Sequence, residues 1–255
     1  MSLELFIRDC GYEINGEWMP RVTTITSVIS KPNLARYYAM HPNLYAAQRA
    51  LAMAADWGTL THEALESVLK AEPFIIDARV GPSVSAFRKW MGEHEIVLFH
   101  TEDIERRVHD PENRYAGTID IFAKVDGKVG VIDIKTGNGI WDEYSLQTAA
   151  YLNAYNKNVE ASRRGQARWI LRVDQFQQCE GCLARKRSKD GTARVRGGNK
   201  FCNHQWASPI AEIEFKELEN YERDFEAFLA TKEVWAWYNR NFLKKVKNYG
   251  GVAVV

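Results

Sequence analysis

The chain has 255 residues, of which 45% are hydrophobic, and its 34 basic and 33 acidic side chains nearly cancel. These values are typical of a globular protein with a buried core, and no apolar run is long enough to cross a membrane. The first ten residues include acidic side chains and no small-residue cleavage pattern, which argues against a signal peptide. We therefore expect a cytoplasmic protein, or one of the host cytoplasm if a phage encodes it.

The near-neutral total hides a basic segment. Residues 161–200 contain 11 basic and three acidic side chains, so the rest of the chain is acidic. Such a segment is typical of a surface that binds a polyanion, although a solvated loop has the same composition. The four cysteines are few for a disulfide scaffold, and three of them are clustered, which favours metal binding in a reducing compartment.

Turn signals and periodicity predict the elements of the first hundred residues. Asn15-Gly16 predicts a hairpin between short strands at 12–14 and 17–19. A helical region follows from about Leu34 to Lys70, and we expect Pro42 and Gly58 to break it. A further helix is predicted at 83–94 and a strand at 96–99.

The segment from residue 115 to residue 134 predicts two strands joined by the turn Asp126-Gly127. A two-residue turn places Asp120 directly opposite Asp133, and the alternation of side chains along a strand places Lys135 on the same face. The other face then carries only apolar residues suited to the core, namely Ile119, Ile121, Ala123, Ile132 and Ile134.

The opposed carboxylates predict a cation site. Two carboxylates directly opposite one another, with Cβ atoms about 5 Å apart, repel. A divalent cation between them would convert this repulsion into coordination, and oxygen ligands favour Mg²⁺ or Mn²⁺. Lys135 could orient the attacking water, deprotonate it or stabilise charge on phosphoryl oxygens. The set predicts a hydrolytic site, although a surface salt-bridge patch would use the same residue types.

The second half of the chain predicts a helix, two strands and a closing amphipathic helix, at about 142–156, 169–173, 210–215 and 217–243. A Cys-rich basic insertion, Gln177–Trp206, separates the two strands. We therefore expect one domain over residues 1–255 with an α/β (α+β) fold. Helices would flank a mixed central sheet, and the insertion would be a small metal-binding unit.

The insertion carries candidate ligands for a second metal. Cys-x-x-Cys and Cys-x-His stand at its two ends, which a strand pair would bring together to complete a tetrahedral Zn²⁺ site of Cys179, Cys182, Cys202 and His204. Metal binding would let a segment poor in hydrophobic residues fold. Five basic residues would then be displayed for phosphate contacts, namely Lys186, Arg187, Lys189, Arg194 and Arg196.

Four motifs in chain order resemble the PD-(D/E)XK nuclease superfamily, in particular its RecB-like branch. That branch includes CRISPR-associated four-cysteine exonucleases and phage exonucleases. The motifs are Gly58-Thr59-Leu60-Thr61-His62, Gly117-Thr118-Ile119-Asp120, Val131-Ile132-Asp133-Ile134-Lys135-Thr136 and Gln147-Thr148-Ala149-Ala150-Tyr151. The resemblance spans about Val22 to Tyr151, together with the closing strands and helix.

The resemblance implies a restriction-endonuclease-like core and a metal-dependent DNA nuclease. The catalytic cation would be bound by His62, Asp120, Asp133 and the backbone carbonyl of Ile134, with Glu66 as a supplementary ligand. Lys135 would be the catalytic lysine. Gln147 and Tyr151 would join it beside the site and contact the substrate strand.

The same resemblance leaves alternatives open. An exonuclease acting on DNA with a free end, in repair, recombination or phage DNA processing, is the form that it favours. The alternative hypotheses are a non-catalytic nucleic-acid-binding module and a subunit of a helicase–nuclease assembly with a helicase or recombination partner. Several branch members hold an iron–sulfur cluster on four cysteines, so a cluster formed by Cys10 with Cys179, Cys182 and Cys202 is the alternative to zinc.

Overall fold

The computed structural model describes residues 1–250. Its helices are α1 Leu3–Cys10, α2 Val22–Thr26, α3 Pro32–Ala39, α4 Leu44–Leu69, α5 Gly81–Glu93, α6 Glu143–Lys157 and α7 Tyr221–Leu243. Its strands are β1 Gly11–Ile14, β2 Glu17–Pro20, β3 Ile96–Val97, β4 Ile104–Asp110, β5 Tyr115–Val125, β6 Lys128–Lys135, β7 Ala167–Gln178, β8 Arg185–Arg187, β9 Arg194–Arg196 and β10 Ile210–Glu217. Within this part of the chain, no helix is both long and apolar enough to span a bilayer.

The central sheet is mixed, as predicted. Strand β5 pairs antiparallel with β6 on one side, and with β3 and β4 on the other. Strand β6 pairs parallel with β7, which then pairs antiparallel with β10. A parallel pair needs a crossover, and α6 lies between β6 and β7 in the chain and supplies it. The far end of β7 continues into a small ladder with β8 and β9 in the insertion.

Helices cover both faces of this sheet, so the prediction of a mixed sheet flanked by helices is confirmed. One core contains apolar residues of α1, α2, α6 and α7, including Phe6, Ile25 and Phe228. The other contains residues of α4 and α5, including Leu65 and Phe87. An α/β sheet that is apolar on both faces requires this arrangement, because each face has to be removed from water.

The predicted register of the β5–β6 hairpin is confirmed where the two strands are paired. Pairs run from Val125 opposite Lys128 to Ile121 opposite Ile132. Asp126 and Gly127 have φ angles of 48° and 88°, the left-handed conformation that a two-residue hairpin turn of this type requires.

The expected alternation fails at Asp120, however. Ile119 packs with Phe122 in the core of α1, α2, α6 and α7, whereas Ile121 packs in the core of α4 and α5. The prediction that Ile119 and Ile121 share a face is therefore wrong. The β4–β5 ladder also skips the position opposite Asp120, where Glu105 has a φ of 54°. A local distortion of this kind shifts the alternation of side chains along β5, so residues on either side of Asp120 pack in different cores.

Helix α4 also differs from its prediction. Pro42 separates α3 from α4 as expected, but α4 continues through Gly58 without a break. A Cβ atom at Gly58 would lie 3.3 Å from Thr136 Oγ1, so the glycine lets the helix approach the segment that follows β6. The close approach of α4 to the end of β6 explains a glycine at a position where alanine favours helix more.

Helices α1 and α2 and strand β4 were not predicted, and the strand predicted at 96–99 is only two residues long. The short α1 is stabilised at its start by Ser2, whose hydroxyl accepts a hydrogen bond from the Leu5 N–H. Strand β4 has charged residues at alternate and adjacent positions, which hides the period-two pattern.

Candidate active site

A cavity of about 430 Å³ lies where β5, β6, α4 and α6 meet, and residues of β1 and α2 also line it. The residues of the predicted catalytic set all line it, namely His62, Asp120, Asp133, Ile134, Lys135, Gln147 and Tyr151. They come from segments separated by up to 89 positions in the sequence, between His62 and Tyr151. The fold therefore brings together the residues that the motifs identified.

Asp133 is buried at the base of the cavity and is only 1% exposed. Its Oδ1 atom accepts a hydrogen bond of 3.0 Å from Gln147 Nε2. Its Oδ2 atom lies 2.6 Å from Lys135 Nζ but makes no well-directed hydrogen bond. A buried carboxylate oxygen in this state retains a lone pair for a further partner.

Asp120 reaches the same cavity from β5. Its Oδ2 atom accepts a hydrogen bond of 2.7 Å from the backbone N–H of Ile134 on β6. The same oxygen lies 3.8 Å from Nδ1 of His62. The two carboxylates are thus held from neighbouring strands, with a histidine from α4 beside one of them.

The cavity shifts the pKa values of these groups. Burial raises the pKa of Asp120 and of Asp133 to about 6 each. Burial, followed by the charge of Lys135, lowers the pKa of His62 to about 4, so its ring is neutral at pH 7. Burial disfavours the charged form of Lys135, but the neighbouring charges of Asp133 and Asp120 outweigh this effect and raise the pKa of Lys135. Two ionisable carboxylates and a neutral imidazole are a suitable donor set for a divalent cation.

Gln147 and Tyr151 share one face of α6, as their spacing predicts. Gln147 Nε2 also donates to the Tyr151 hydroxyl over 3.0 Å. The Tyr151 ring packs onto Gly117, where a Cβ atom would approach ring carbon Cε1 to 2.3 Å. Gly117 is therefore required by this contact, which explains the glycine three residues before Asp120.

A second group of possible ligands adjoins the cavity. His62, Glu66 and Glu105 each offer a ligand atom, and these atoms lie within 4.8 Å of one another. Burial, and then the neighbouring Glu66, raise the pKa of Glu105 to about 7. The sequence identified His62 by its motif and Glu66 by its position one helical turn later, but Glu105 lies on the unpredicted strand β4 and carried no motif.

The predicted cysteine site is also assembled. Ligand atoms of Cys179, Cys182, Cys202 and His204 all lie within 4.8 Å of one another. The Sγ atoms of Cys179 and Cys202 are 3.8 Å apart, and Cys182 Sγ lies 3.4 Å from His204 Nδ1. Tetrahedral zinc with its usual bond lengths gives about 3.8 Å between sulfurs and about 3.5 Å between sulfur and nitrogen. The group can therefore hold a metal ion such as zinc.

Electrostatics within the group favour a metal-binding thiolate. Burial opposes ionisation of Cys179, but hydrogen bonds from His204 and from the backbone N–H groups of Cys182 and Gly181 outweigh it and lower its pKa to about 6. Thiolate is the form of cysteine that binds metals.

Cys10 does not belong to this group. It ends α1 and packs against the core of α1, α2, α6 and α7, and His204 takes the fourth position instead. The structure therefore groups His204, and not Cys10, with the three cysteines of the insertion, which favours a mononuclear metal site over a cluster that includes Cys10.

The basic residues of the insertion are less available than expected. Arg187 makes two hydrogen bonds to Asp174, of 2.7 and 2.6 Å. Lys189 donates to the backbone oxygen of Thr136, directly after Lys135. Arg194 lies 3.0 Å from Asp190. Three of the five basic residues predicted to contact phosphates therefore also have partners within the chain.

Lys186 and Arg196 fit that prediction better. The Lys186 ammonium lies 4.7 Å from the centre of the Trp206 ring, and Arg196 is exposed. Neither pairs with a carboxylate in the described part of the chain.

The insertion is also fixed to helix α3. The Tyr37 hydroxyl donates to Asp190 over 2.8 Å, and the Arg194 guanidinium stacks 4.4 Å from the centre of the Tyr37 ring. Burial lowers the pKa of Lys189 to about 8, consistent with a lysine enclosed between the insertion and the end of β6. The insertion is therefore a docked unit and not a solvated loop.

The chain matches no protein-family model and no curated protein. Its chemistry is therefore inferred from the side chains themselves. They form a cavity with two carboxylates, a lysine and a neutral histidine, and a separate cluster of three thiols and an imidazole.

Proposed function

We propose that the protein is a metal-dependent DNA nuclease of the PD-(D/E)XK type, with the mixed sheet as its restriction-endonuclease-like core. The observation that carries the proposal is one cavity that contains Asp120, Asp133 and Lys135 together with His62 and Gln147. A surface salt-bridge patch would be solvated, whereas Asp133 is buried with one oxygen short of a directed hydrogen bond. By resemblance, the enzyme is an exonuclease in repair, recombination or phage DNA processing.

The cation would be Mg²⁺ or Mn²⁺, held by Asp120, Asp133, His62 and the backbone carbonyl of Ile134. Oxygen ligands with one neutral imidazole match the preference of these ions. When bound, the ion would supply Lewis-acid chemistry for phosphodiester hydrolysis. Glu66 and Glu105 offer ligands for a second cation of the same kind, since their oxygens adjoin His62.

The other side chains have distinct tasks. Lys135 keeps its proton beside two carboxylates, since they raise its pKa, so we assign it the stabilisation of negative charge on the phosphoryl oxygens. Gln147 holds Asp133 in place by a hydrogen bond and also binds the Tyr151 hydroxyl. Together these two side chains fix one wall of the cavity against which the substrate strand would lie.

The insertion would have a structural Zn²⁺, and its remaining exposed cations, Lys186 and Arg196, would contact DNA phosphates. The distances within the Cys179, Cys182, Cys202 and His204 group support zinc.

The direct test is digestion of end-labelled single- and double-stranded DNA by the purified chain. We expect cleavage with Mg²⁺ or Mn²⁺ and none with EDTA, because the carboxylates alone cannot activate a phosphodiester. Release of mononucleotides or short products from an end would support the exonuclease form. Binding of DNA with no cleavage under any of these conditions would instead favour the non-catalytic module.

A second prediction concerns pH. A carboxyl group whose pKa is higher in the folded protein than in the unfolded chain stabilises the fold at low pH, and this contribution is lost as the pH rises through the folded value. For Asp120 and Asp133 that value is about 6. Bound cations require ionised carboxylates, so Mn²⁺ should raise the melting temperature more at about pH 7.5 than at about pH 5.

Thermal unfolding with Mn²⁺ and with EDTA at both pH values measures this effect. Asp133→Asn is the matched variant, because it preserves the shape and removes the charge. It should lose most of the Mn²⁺-dependent increase at the higher pH. An equal increase in the variant and the wild type would show that Mn²⁺ binds elsewhere.

A further inference from the structure

One edge of the cavity has an aromatic ring with two guanidinium groups on it. Tyr12 lies on β1, and the guanidinium carbons of Arg21 and Arg107 are each 4.3 Å from the centre of its ring. Tyr12 and Arg21 line the same cavity as Asp120 and Asp133. None of the three residues belongs to the motifs that predicted the catalytic set.

The backbone fixes this group relative to the carboxylates. Arg107 on β4 pairs with Thr118 on β5, and Thr118 also lines the cavity, two residues before Asp120. Arg21 forms a backbone bridge with Ala116 on the same strand. A strand rises about 7 Å over two residues, so the backbones of Arg107 and Arg21 pair with β5 two and four residues before Asp120.

The Arg21 side chain is held in a defined orientation. Its guanidinium donates to the backbone oxygens of Gly11 and Arg8, over 3.3 and 3.0 Å. Arg107 is exposed and is held by its contact with Tyr12. Cation–π contacts of this kind hold a guanidinium group without neutralising its charge.

Neither guanidinium group of this pair is neutralised by a direct ion pair. Across residues 1–250, neither Arg21 nor Arg107 makes an ion pair with a carboxylate, in contrast to Arg187 with Asp174. Lys135, the other cation of the cavity, lies 2.6 Å from Asp133. Two like charges beside one ring repel, and an anion between or beside them relieves the repulsion. Guanidinium groups match phosphate oxygens in geometry as well as charge.

We propose that Arg21 and Arg107, held on Tyr12, bind a phosphate group of the nucleic-acid strand whose backbone enters the cavity. The site deepens the proposed nuclease function and rests on it for the identity of the strand. The phosphate is either an internal phosphodiester close to the bond that is cut or the terminal phosphate of the strand. Both present the same oxygens to the two guanidinium groups.

The test measures binding of a single-stranded oligodeoxynucleotide to the full chain by fluorescence anisotropy. EDTA keeps the strand uncut, and the affinity is determined at several salt concentrations. Arg107→Ala should weaken binding about three- to tenfold and reduce the salt dependence by about one phosphate contact. Arg107→Lys should recover part of the affinity. Arg88→Ala, an exposed arginine on α5 at the other face of the sheet, is the matched control and should bind as the wild type does.

Oligonucleotides with a 5′-phosphate and with a 5′-hydroxyl separate the two sources of phosphate. Equal losses for both indicate an internal phosphodiester, and a loss only for the phosphorylated strand indicates a terminal phosphate. Wild-type affinity and salt dependence of Arg107→Ala with both strands would overturn the proposal, even if the wild-type enzyme cuts DNA. A strand that binds through Arg107 but is never cut with Mg²⁺ or Mn²⁺ would overturn the nuclease function and leave the phosphate site intact.

Discussion

Lys135→Ala is expected to lower the rate of DNA cleavage by at least about 10³-fold, because it removes the ammonium group that lies against Asp133 in the proposed site. In the structure, Lys135 Nζ is 2.6 Å from Asp133 Oδ2 and 4.8 Å from the centre of the Tyr144 ring. An alanine cannot reach either group. The loss should fall on kcat more than on KM, since the lysine acts on charge that develops during the reaction.

The control for this variant lies in the same hairpin. Lys128→Ala removes an exposed lysine at the turn, whose ammonium contacts Glu217 on the surface. It should keep wild-type cleavage, since exposed ion pairs contribute little to stability. Circular dichroism and thermal unfolding verify that both variants fold. Near wild-type cleavage by a folded Lys135→Ala protein would remove Lys135 from the mechanism and contradict the assignment of the cleavage site to this cavity.

The local parts of this site were predictable from the sequence. The turn Asp126-Gly127 sets the register of its two strands, because a two-residue loop permits one pairing of the flanking residues. That register, together with alternation, was sufficient to place Asp133 and Lys135 together. Helical spacing likewise placed Gln147 and Tyr151 on one face of α6.

The parts that depend on long-range contacts were not predictable in this way. The distortion at Asp120 sends Ile119 into a different core from Ile121, and it coincides with a positive φ at Glu105 on the neighbouring strand. Strand alternation contains no information about a neighbour's backbone. Glu105 and Arg107 reach the site through the pairing of β5 with β4, a strand that carries no periodic pattern, and Tyr12 lies on the separate β1–β2 hairpin, so no spacing rule identifies them.

In the insertion, too, local features were predictable from the sequence and long-range contacts were not. Cys-x-x-Cys and Cys-x-His spacing correctly identified four residues that come together, because metal ligands need a fixed local geometry. The partners of its basic residues were not predictable, however. Arg187, Lys189 and Arg194 bind Asp174, Thr136 and Asp190 within the chain. A count of basic residues cannot separate a cation that faces solvent from one that fixes the insertion to the body.

Cys182→Ser is expected to release the metal of the insertion and to lower the melting temperature by about 5–15 °C, since several kcal/mol of metal-binding energy are lost. The effect should reach beyond the insertion. Lys189 and Asp190 connect it to Thr136, next to Lys135, and to Tyr37 on α3. Loss of the metal should therefore also reduce DNA cleavage, although less than Lys135→Ala does.

Cys10→Ser is the matched control, because it removes one thiol of the same chain without touching the Cys179, Cys182, Cys202 and His204 group. Elemental analysis of both variants and the wild type is the decisive measurement. We expect one zinc ion per chain in the wild type and in Cys10→Ser, and close to none in Cys182→Ser. Iron that is lost equally from both variants would mean that all four cysteines hold one cluster and would overturn the zinc site of Cys179, Cys182, Cys202 and His204.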